Sequence, residues 1–309
     1  MELKVAVVGG CGAAGSVFSA ALLRSGADVT IIDRAATACS SVNLVVENYW
    51  SGKARVCGWG SARGPFDVVV MFTKVYDLDS AMAGVPLLSP GIVISPHNGL
   101  GGLEMVEKAY GSRAAGMIVY YGASRESRCR TRYNGGSRVI LGCRTNCRLD
   151  ILRALAEHLT AGGLEADVVD SREFNSQRWL KLAVNSAINP VTALSWSTNG
   201  VIVDDENAKS LATDLASETG RVARGLSIEL PEDPVEATLR TAYETRSNCS
   251  STVQDLASGR PTELRYINMA IWEASVKTYA PALVNLATYR AVEVASRWLK
   301  GRRSPCERS

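Results

Sequence analysis

A lysine and two asparagines recur every four residues in the segment KLAVNSAINP, which runs from Lys181 to Pro190. Residues four apart on an α-helix lie within about 40° of each other, so Lys181, Asn185 and Asn189 would form one row. A lysine can donate a proton, and amide groups can hydrogen-bond a polar ligand. The apolar neighbours enclose most of the helix, and enclosed polar groups need partners. We therefore expect the row to face a ligand, with the helix ending or kinking at Pro190.

A solvated polar face is the alternative for this row, although the surrounding apolar residues leave little room for one. A second polar segment, SSTVQDLASGRPTELRYIN, begins at Ser250 and adds Ser251 and Glu263 to the candidates. Taken alone, this segment is better explained as a loop or as a helix N-cap than as part of a binding site.

A glycine-rich loop is the next feature with chemical potential. Its G-x-G-x-x-G motif follows an apolar run, precedes a helical pattern, and consists of Gly10, Cys11, Gly12, Ala13, Ala14 and Gly15. In a dinucleotide-binding unit, the first glycine permits a tight turn, the second lets the backbone approach a pyrophosphate, and the third lets the helix pack against the strand. The N–H groups of the helix start would then face the phosphates. A glycine-rich turn of another α/β protein is the less favoured alternative.

Two neighbouring residues after the second apolar run favour different cofactors. Asp33 could accept a hydrogen bond from the ribose 2′-hydroxyl of NAD(H), whereas Arg34 could hold the 2′-phosphate of NADP(H). A carboxylate beside a phosphate is electrostatically unfavourable, so the sequence leaves the choice between NADP(H) and NAD(H) open.

The elements around these residues divide the chain in two. Residues 1–170 contain apolar runs that alternate with helical patterns, as in βαβ units, and later strands that are partly antiparallel, with a hairpin at 134–136. Residues 171–309 show apolar residues at spacings of three and four, which predicts helices. We predict an α/β fold, with an N-terminal Rossmann-type NAD(P)-binding domain at 1–170 and an all-helical substrate and catalytic domain at 171–309.

Composition narrows the class of protein. The chain has 309 residues, 46% hydrophobic and 21% charged, and a formal charge of +3, which fits a soluble two-domain protein without a nucleic-acid partner. No run approaches the ~18 apolar residues of a membrane span, and the N-terminus reads as a strand rather than a signal peptide. We expect a cytoplasmic protein, a frayed tail after residue 300, and apolar faces on the terminal helices that could support a homodimer.

The cysteines predict no metal site. There are eight of them, without a C-x-x-C pair, and only His97 and His158 could assist in binding an ion. We expect buried free thiols, with a disulfide between Cys143 and Cys147 as the one alternative.

Several motifs, in order along nearly the whole chain, resemble the ketopantoate reductase family, the 2-dehydropantoate 2-reductases of pantothenate and coenzyme A biosynthesis. They are GGCGAAGS near the start, SVNLVV, FTKVYD, HNGLGG, WLKLAVNSAINPVTA and SSTVQDLASGRPTELRYIN. The resemblance implies a Rossmann domain and a helical domain with the active site in the cleft between them. It also implies a reaction, in which hydride from NAD(P)H reduces the 2-keto group of ketopantoate to give (R)-pantoate.

The resemblance also implies roles for individual residues. Lys181 matches the catalytic lysine that polarises and protonates the carbonyl oxygen, and Glu263 matches an acidic catalytic residue that helps to place substrate and cofactor. The implied substrate-binding residues are Asn98, Lys181, Asn185, Asn189, Asn199 and Ser251. The implied cofactor-binding residues are the six of the glycine loop, Asp33, Arg34, Lys74, Asn98, Ala123 and Glu263. Lysine suits the reaction because hydride addition creates negative charge on the ketone oxygen.

Two alternatives remain open. The substrate could be another branched 2-keto acid, because pocket walls set the choice of side chain, and 2-ketoisovalerate would then be turned over comparably. The chain could also be a regulator that senses NADPH without turnover. The complete set of polar residues argues against a sensor, which needs no proton donor.

Overall fold

The computed structural model describes residues 3–145 and 147–306, whose contacts group them into two compact units. The first unit contains the described residues up to His97 together with Gly102–Phe174. The second unit contains Asn98–Gly101 and the described residues from Asn175 onward. The domain bounds expected from the sequence, 1–170 and 171–309, stay a prediction.

The first unit is built on a mixed sheet of eleven strands. The strands are β1 (Lys4–Val8), β2 (Asp28–Ile32), β3 (Ser40–Glu47), β4 (Trp50–Cys57), β5 (Phe66–Met71), β6 (Pro90–Ser95), β7 (Ala114–Val119), β8 (Ala123–Ser127), β9 (Arg130–Tyr133), β10 (Arg138–Gly142) and β11 (Glu165–Val168). The helices are α1 (Ala13–Arg24), α2 (Leu78–Met82), α3 (Gly102–Tyr110) and α4 (Leu149–Ala161). The strand order is β11-β10-β7-β6-β5-β1-β2-β4-β3-β9-β8.

The central strands are mostly apolar because both faces of the sheet are covered. Alternate residues of β1 enter different cores, with Val5 and Val7 in one cluster and Ala6 and Val8 in another. Helices α1 and α4 contribute to the first cluster, and α2 and α3 contribute to the second. Strands β2, β1, β5, β6 and β7 pair in parallel, so the predicted α/β class is confirmed.

The hairpin expected at residues 134–136 is wrong. Strand β9 pairs with β3 and β8, whereas β10 pairs with β7 and β11 near the opposite edge of the sheet. Gly135 and Gly136 have positive φ and redirect the chain between these distant strands. The actual hairpin joins β8 to β9 and turns at Arg128 and Cys129, where Cys129 has φ 55°.

Charge explains why β9 lies near an edge. Its Arg130 and Arg132 form ion pairs with Glu47 of β3 and Glu126 of β8 on exposed surface. Strand β10 is apolar and buried from Val139 onward, which suits a position between two neighbouring strands. Alternating hydrophobicity shows that each segment is a strand, but it does not identify the partners.

The second unit is helical. It contains residues 175–195 of α5 (Ser171–Ser195), followed by α6 (Val201–Asp204), α7 (Glu206–Gly225), α8 (Pro234–Glu244), α9 (Ser251–Ala257), α10 (Asn268–Ser275) and α11 (Leu283–Leu299). Side chains of Asp205, Asp233 and Ser250 cap the N-termini of α7, α8 and α9. No strand occurs among the described residues of this unit, as the periodicity predicted. Across the described chain, every helix is too short or too polar to cross a bilayer.

The cysteines are the largest departure from expectation, because all eight form disulfides. The pairs are Cys11–Cys129, Cys39–Cys57, Cys143–Cys147 and Cys249–Cys306. The expectation of free thiols is therefore wrong, since three pairs join residues 18 to 118 positions apart that spacing alone could not match. The frayed tail is wrong as well, because Cys306 is bonded to Cys249 and Trp196 Nε1 donates to the carbonyl oxygen of Arg303.

Candidate active site

Helix α5 carries the row of polar residues that the spacing predicted. Lys181, Asn185 and Asn189 all lie within its helical residues, and therefore on one face. Lys181 and Asn185 are half-buried, whereas Asn189 is only 4% exposed. The apolar residues of the same helix, including Trp179 and Leu182, pack into the core of the second unit. A fully solvated polar face, the alternative for this segment, does not fit this burial.

Pro190 does not end the helix, which continues to Ser195. Proline has no N–H and leaves the carbonyl oxygen four residues earlier, that of Ser186, without its helical donor. The side-chain amide of Asn268 replaces that donor, with 2.8 Å between its Nδ2 and the Ser186 oxygen. Of the two outcomes expected at Pro190, a helix end is wrong, because a residue of α10 completes the backbone hydrogen bonding of α5, and a kink stays a prediction.

A network of buried polar side chains from α7, α10 and α11 holds α5 in position. Ser186 Oγ lies 3.0 Å from Thr219 Oγ1 of α7, and Asn268 Nδ2 also donates to Asn285 Oδ1 of α11. The buried carboxylate of Glu218 accepts from Asn285 Nδ2 and from two backbone N–H groups at the start of α11. These contacts connect α5, α7, α10 and α11, so the helix bearing Lys181 has a defined orientation within its unit.

Burial changes the acidity of Lys181. Removal of its ammonium group from water lowers the pKa from 10.5 to about 8, because desolvation disfavours the charged form. An amine with this pKa is mostly protonated at neutral pH yet gives up its proton more readily than an exposed lysine. That property suits a general acid acting near neutrality.

Three side-chain amide atoms of the second unit are buried without a hydrogen-bond partner among the described residues, and one of them, Asn268 Oδ1, belongs to the network that holds α5. Asn189 Nδ2 and Asn199 Oδ1 are both inaccessible to solvent, and neither has a hydrogen-bond partner within residues 3–145 and 147–306. Asn199 is anchored by its other amide atom, Nδ2, which donates to Thr245 Oγ1 over 2.9 Å. Buried polar atoms without partners are costly, so a donor and an acceptor of this kind are expected at a site that binds a polar molecule.

The second polar segment separates into a structural part and a candidate functional part. Ser250 is the N-cap of α9 and also contacts Thr192 of α5, with 2.8 Å between the hydroxyl oxygens. Ser251 follows as the first, half-buried residue of the helix. Glu263 is 9% exposed and immediately precedes a 3-10 turn, Leu264–Tyr266.

The HNGLGG motif reaches the same unit through its short segment Asn98–Gly101. The Leu100 N–H donates to the carbonyl oxygen of Tyr266 over 2.8 Å, and Arg178 of α5 donates to the carbonyl oxygen of Gly99 over 3.0 Å. Gly99 has φ 81°, and a Cβ there would lie 2.1 Å from the Tyr266 oxygen, so only glycine fits. The structure therefore brings Asn98 into the helical unit, and it adds Arg178, which the sequence did not suggest.

The glycine loop follows β1 and opens α1. Gly9 rather than Gly10 has the left-handed conformation, with φ 79°. A Cβ on Gly15 would lie 2.6 Å from the carbonyl oxygen of Gly9, which explains the third glycine as a close contact between helix and loop. The first residue before α1 is Gly12, and among the described residues no side chain caps this helix. Backbone N–H groups at Ala13 and Ala14 therefore remain suited to phosphate oxygens.

The remaining residues of the predicted cofactor set lie in the first unit. Asp33 follows β2 and Lys74 follows β5, so both lie at the carboxyl ends of parallel strands, where open α/β sheets bind ligands. Ala123 is the first residue of β8 and pairs with Tyr133 of β9. His97 contacts Ser95 Oγ and the Thr73 carbonyl oxygen through its two ring nitrogens, at 2.9 Å each, which favours a positioning role.

Arg128 is the residue at this site that sequence reasoning missed. Its Nε donates to Asp33 Oδ2 over 3.0 Å, although the two residues are 95 positions apart in the chain. Arg34, the predicted partner of a 2′-phosphate, is 88% exposed and lies 4.0 Å from Asp77. A basic residue at the tip of the β8–β9 hairpin carries no recognisable motif, so no signal in the single sequence marks it.

A metal site at this position is not supported. Cys11, Cys129 and Asp33 bring three potential ligand atoms within 4.8 Å of one another. The two sulfurs, however, are bonded to each other, and Asp33 accepts hydrogen bonds from Arg128 and from the Ala35 N–H. A disulfide cannot supply the thiolates that a metal ion would require.

Comparison with known proteins identifies the family of both parts of the chain. The family model described as Ketopantoate reductase PanE/ApbA matches residues 5–146, and the model described as Ketopantoate reductase PanE/ApbA C terminal matches residues 173–295. The 2-dehydropantoate 2-reductase of Pyrobaculum aerophilum is 34% identical over 285 residues, which cover 92% of this chain and 95% of the relative.

Solved structures share the fold at lower identity. A dimeric ketopantoate reductase from Staphylococcus aureus has a TM-score of 0.80 and 20% identity, over 96% of this chain and 99% of that chain. A ternary structure of D-mandelate dehydrogenase with NADH and anilino(oxo)acetate has a TM-score of 0.82 and 22% identity, over the same shares of the two chains. The predicted combination of a Rossmann-type part and a helical part is thus confirmed.

Proposed function

The chain belongs to the ketopantoate reductase family, and we propose that it reduces ketopantoate to (R)-pantoate with NADPH or NADH. The chain spans nearly the full length of its curated relatives, and those relatives are oxidoreductases. One observation carries the proposal for this particular chain. The helix that holds Lys181, with its lowered pKa, also holds Asn189, whose buried amide Nδ2 has no hydrogen-bond partner in the described structure.

Lys181 is the proton donor in this proposal. Its ammonium group hydrogen-bonds the ketone oxygen, stabilises the negative charge that develops there, and transfers its proton to give the alcohol. The bound nicotinamide supplies the hydride. A pKa of about 8 leaves the lysine mostly charged at neutral pH, so the unliganded enzyme is already in the state that reduction requires.

The polar residues near α5 are proposed to bind the rest of the substrate. Ketopantoate has a carboxylate, a ketone and a hydroxyl, which need both donors and acceptors. Asn189 Nδ2 is a buried donor and Asn199 Oδ1 a buried acceptor, each lacking a partner among the described residues. We assign Asn185, Ser251 and Asn98 to the same substrate-binding set, and Glu263 to the placement of substrate and cofactor.

The cofactor is proposed to bind to the first unit. The glycine loop presents backbone N–H groups at the start of α1. Because its glycines have no side chains, the loop backbone can approach the phosphate oxygens of a pyrophosphate. Asp33 and Arg34 are proposed for the adenosine ribose, and Lys74 and Ala123 for the same side of the dinucleotide.

A direct assay tests the reaction. Oxidation of NADPH and of NADH would be followed over a range of ketopantoate concentrations, and in parallel with 2-ketoisovalerate, which lacks the hydroxymethyl group. We expect kcat/KM for ketopantoate to exceed that for 2-ketoisovalerate by tenfold or more, because a site built to hydrogen-bond a hydroxyl rejects an analogue without it. Comparable values would favour another branched 2-keto acid, and binding of NADPH with no turnover would favour a sensor.

We propose a homodimer formed through helix α11. Leu283, Val294 and Trp298 are exposed on this helix, with Trp298 76% exposed. Together with Ala287 and Ala291 they recur at spacings of three and four residues, so they form one apolar stripe on the outer face. A second copy of this chain would cover the stripe, and a relative of the same fold is described as dimeric.

A cytoplasmic location is part of the proposal. Four disulfides are unusual in a reducing cytosol but are documented for intracellular proteins of hyperthermophiles. The relative from Pyrobaculum aerophilum is 34% identical. Alkylation of the protein in freshly lysed source cells, followed by mass spectrometry, would report whether the eight cysteines are oxidised where the protein works.

A further inference from the structure

Asp33 lies where dinucleotide-binding folds place the residue that accepts a hydrogen bond from the ribose, just after the second parallel strand. Both of its carboxylate oxygens already have partners within the chain. Oδ1 accepts from the Ala35 N–H over 2.8 Å, and Oδ2 accepts from Arg128 Nε over 3.0 Å. Asp33 is only 12% exposed, so these partners occupy much of its accessible surface.

The ion pair between Arg128 and Asp33 changes the net charge at the position proposed for the adenosine ribose. A lone carboxylate at this position would repel the 2′-phosphate of NADPH, whereas a carboxylate paired with a guanidinium contributes almost no net charge. Arg128 uses Nε for Asp33, and its side chain is 43% exposed, so the two terminal nitrogens can reach solvent or a ligand. Arg34, adjacent to Asp33 in sequence, is 88% exposed. Arg34 Nη1 lies 4.0 Å from Asp77 Oδ2, at the limit of ion-pair distance and on exposed surface, so this weak pair leaves the Arg34 guanidinium open to a ligand.

Covalent structure holds Arg128 at this position. The next residue, Cys129, is bonded to Cys11 of the glycine loop, and its N–H donates to the Cys11 carbonyl oxygen over 3.4 Å. The Cys129 carbonyl oxygen accepts from the Val45 N–H of β3. Cys129 and Cys11 are both buried, at 2% and 4% exposed. The tip of the β8–β9 hairpin is thus fixed beside the loop proposed to bind the pyrophosphate.

We propose that Arg128 determines cofactor specificity, by neutralising Asp33 and binding, together with Arg34, the 2′-phosphate of NADPH. The inference rests on the proposed dinucleotide site, and it resolves the conflicting signals of Asp33 and Arg34 in favour of NADPH. Guanidinium groups suit this task because their planar N–H donors match phosphate oxygens.

The decisive measurement uses fragments of the cofactor and needs no substrate. Titration calorimetry would compare adenosine 2′,5′-bisphosphate with adenosine 5′-monophosphate, which differ only in the 2′-phosphate. We expect the wild-type chain to bind the bisphosphate at least tenfold more tightly. Arg128→Ala should lower the affinity for the bisphosphate on the order of 10- to 100-fold, the range for a charge-assisted hydrogen bond, and leave the monophosphate within about threefold. NADPH and NADH would be titrated in the same way.

Two further variants distinguish specificity from general damage. Arg125→Ala removes the same charge from the same hairpin, but its Nε donates to the Ser127 carbonyl oxygen rather than to Asp33, so the affinity ratio should not change. Asp33→Asn removes the remaining repulsion and releases Arg128, so affinity for the bisphosphate should rise. Equal binding of both fragments by the wild type, or an unchanged ratio in Arg128→Ala, would overturn the proposal. Binding of NADPH without reduction of ketopantoate would instead contradict the proposed function and leave this assignment standing.

Discussion

Asn268 Nδ2 donates a hydrogen bond to the carbonyl oxygen of Ser186, which is the carbonyl that Pro190 leaves without its helical donor. The contact joins α10 to the middle of α5, between Asn185 and Asn189 of the proposed substrate row. Pro190 can therefore occupy a helix interior, because the group it deprives is satisfied by another element. Asn268, the last residue of the polar segment that begins at Ser250, thus completes the backbone hydrogen bonding of the helix that carries Lys181.

Replacement of Asn268 by alanine should destabilise the chain. The Ser186 oxygen would be left buried without a donor, which costs about 1–3 kcal/mol of unfolding free energy. Denaturant unfolding would measure the loss, and Asn207→Ala, at an exposed position of α7, is a control expected to stay within about 0.5 kcal/mol. In a Pro190→Ala background the helix regains its own donor, so the cost of Asn268→Ala should shrink. An equal cost in both backgrounds would contradict the account given for Pro190.

Lys181→Met should separate activity from stability. Loss of the proton donor is expected to reduce kcat on the order of 10²- to 10⁴-fold, with little change in NADPH affinity. At pH 7 the same change should raise the free energy of unfolding by up to about 3 kcal/mol, since the folded pKa of about 8 lies below the unfolded value of 10.5.

The pH dependence of that stability difference follows from the sign of the shift. Below pH 8 the lysine is charged in both states and the folded state bears the full cost of burying the charge. The increase in unfolding free energy caused by Lys181→Met should therefore be complete below pH 8 and disappear as the pH rises above 10.5. Thermal unfolding of both proteins across this range would measure it. A difference independent of pH would mean that packing, rather than charge burial, is responsible.

Catalysis should respond to the same ionisation. Reduction requires protonated Lys181, so kcat/KM for ketopantoate should be level below about pH 7 and fall tenfold per unit well above the pKa of about 8. Oxidation of pantoate requires the neutral amine and should increase over the same interval. Initial rates in both directions, with the cofactor held saturating, would test this. Parallel profiles in the two directions would exclude Lys181 as the group that titrates.

Removal of single disulfides should have unequal effects. In the chain-entropy model, the bond across 118 residues between Cys11 and Cys129 contributes about 5 kcal/mol, and the bond across four residues between Cys143 and Cys147 contributes about 2 kcal/mol. Double serine variants of each pair, compared by denaturant unfolding, would test the order. The opposite order would show that these bonds stabilise chiefly through native-state contacts.

The proposed dimer depends on the apolar stripe of α11. Trp298→Glu places a charge within the stripe and should shift the molecular mass measured by light scattering from two copies to one. Arg297→Glu places a glutamate on an adjacent exposed residue outside the stripe, with a larger change in net charge (−2 rather than −1), and should leave the mass unchanged. A monomeric wild-type chain, or a dimer that tolerates Trp298→Glu, would refute the assignment of this surface.

Local patterns were sufficient for the class of fold and for much of the candidate site. The alternation of apolar runs and helical periods predicted an α/β part followed by helices, because each pattern is repeated within a few residues of chain. The glycine loop and the row from Lys181 to Asn189 were recognisable for the same reason. Spacing along a helix defines which side chains share a face before any tertiary contact forms.

Only the tertiary structure decided which distant segments meet. The pairing of β9 with β3, the contact of Asn268 with Ser186 across 82 positions, and the bond of Cys11 to Cys129 across 118 have no local signature. The ion pair of Arg128 with Asp33, 95 positions apart, is of the same kind. The periodicity of apolar residues indicates which face of a helix or strand is buried, but it contains no information about which other segment packs against that face. Long-range polar and covalent contacts therefore follow from the packed fold.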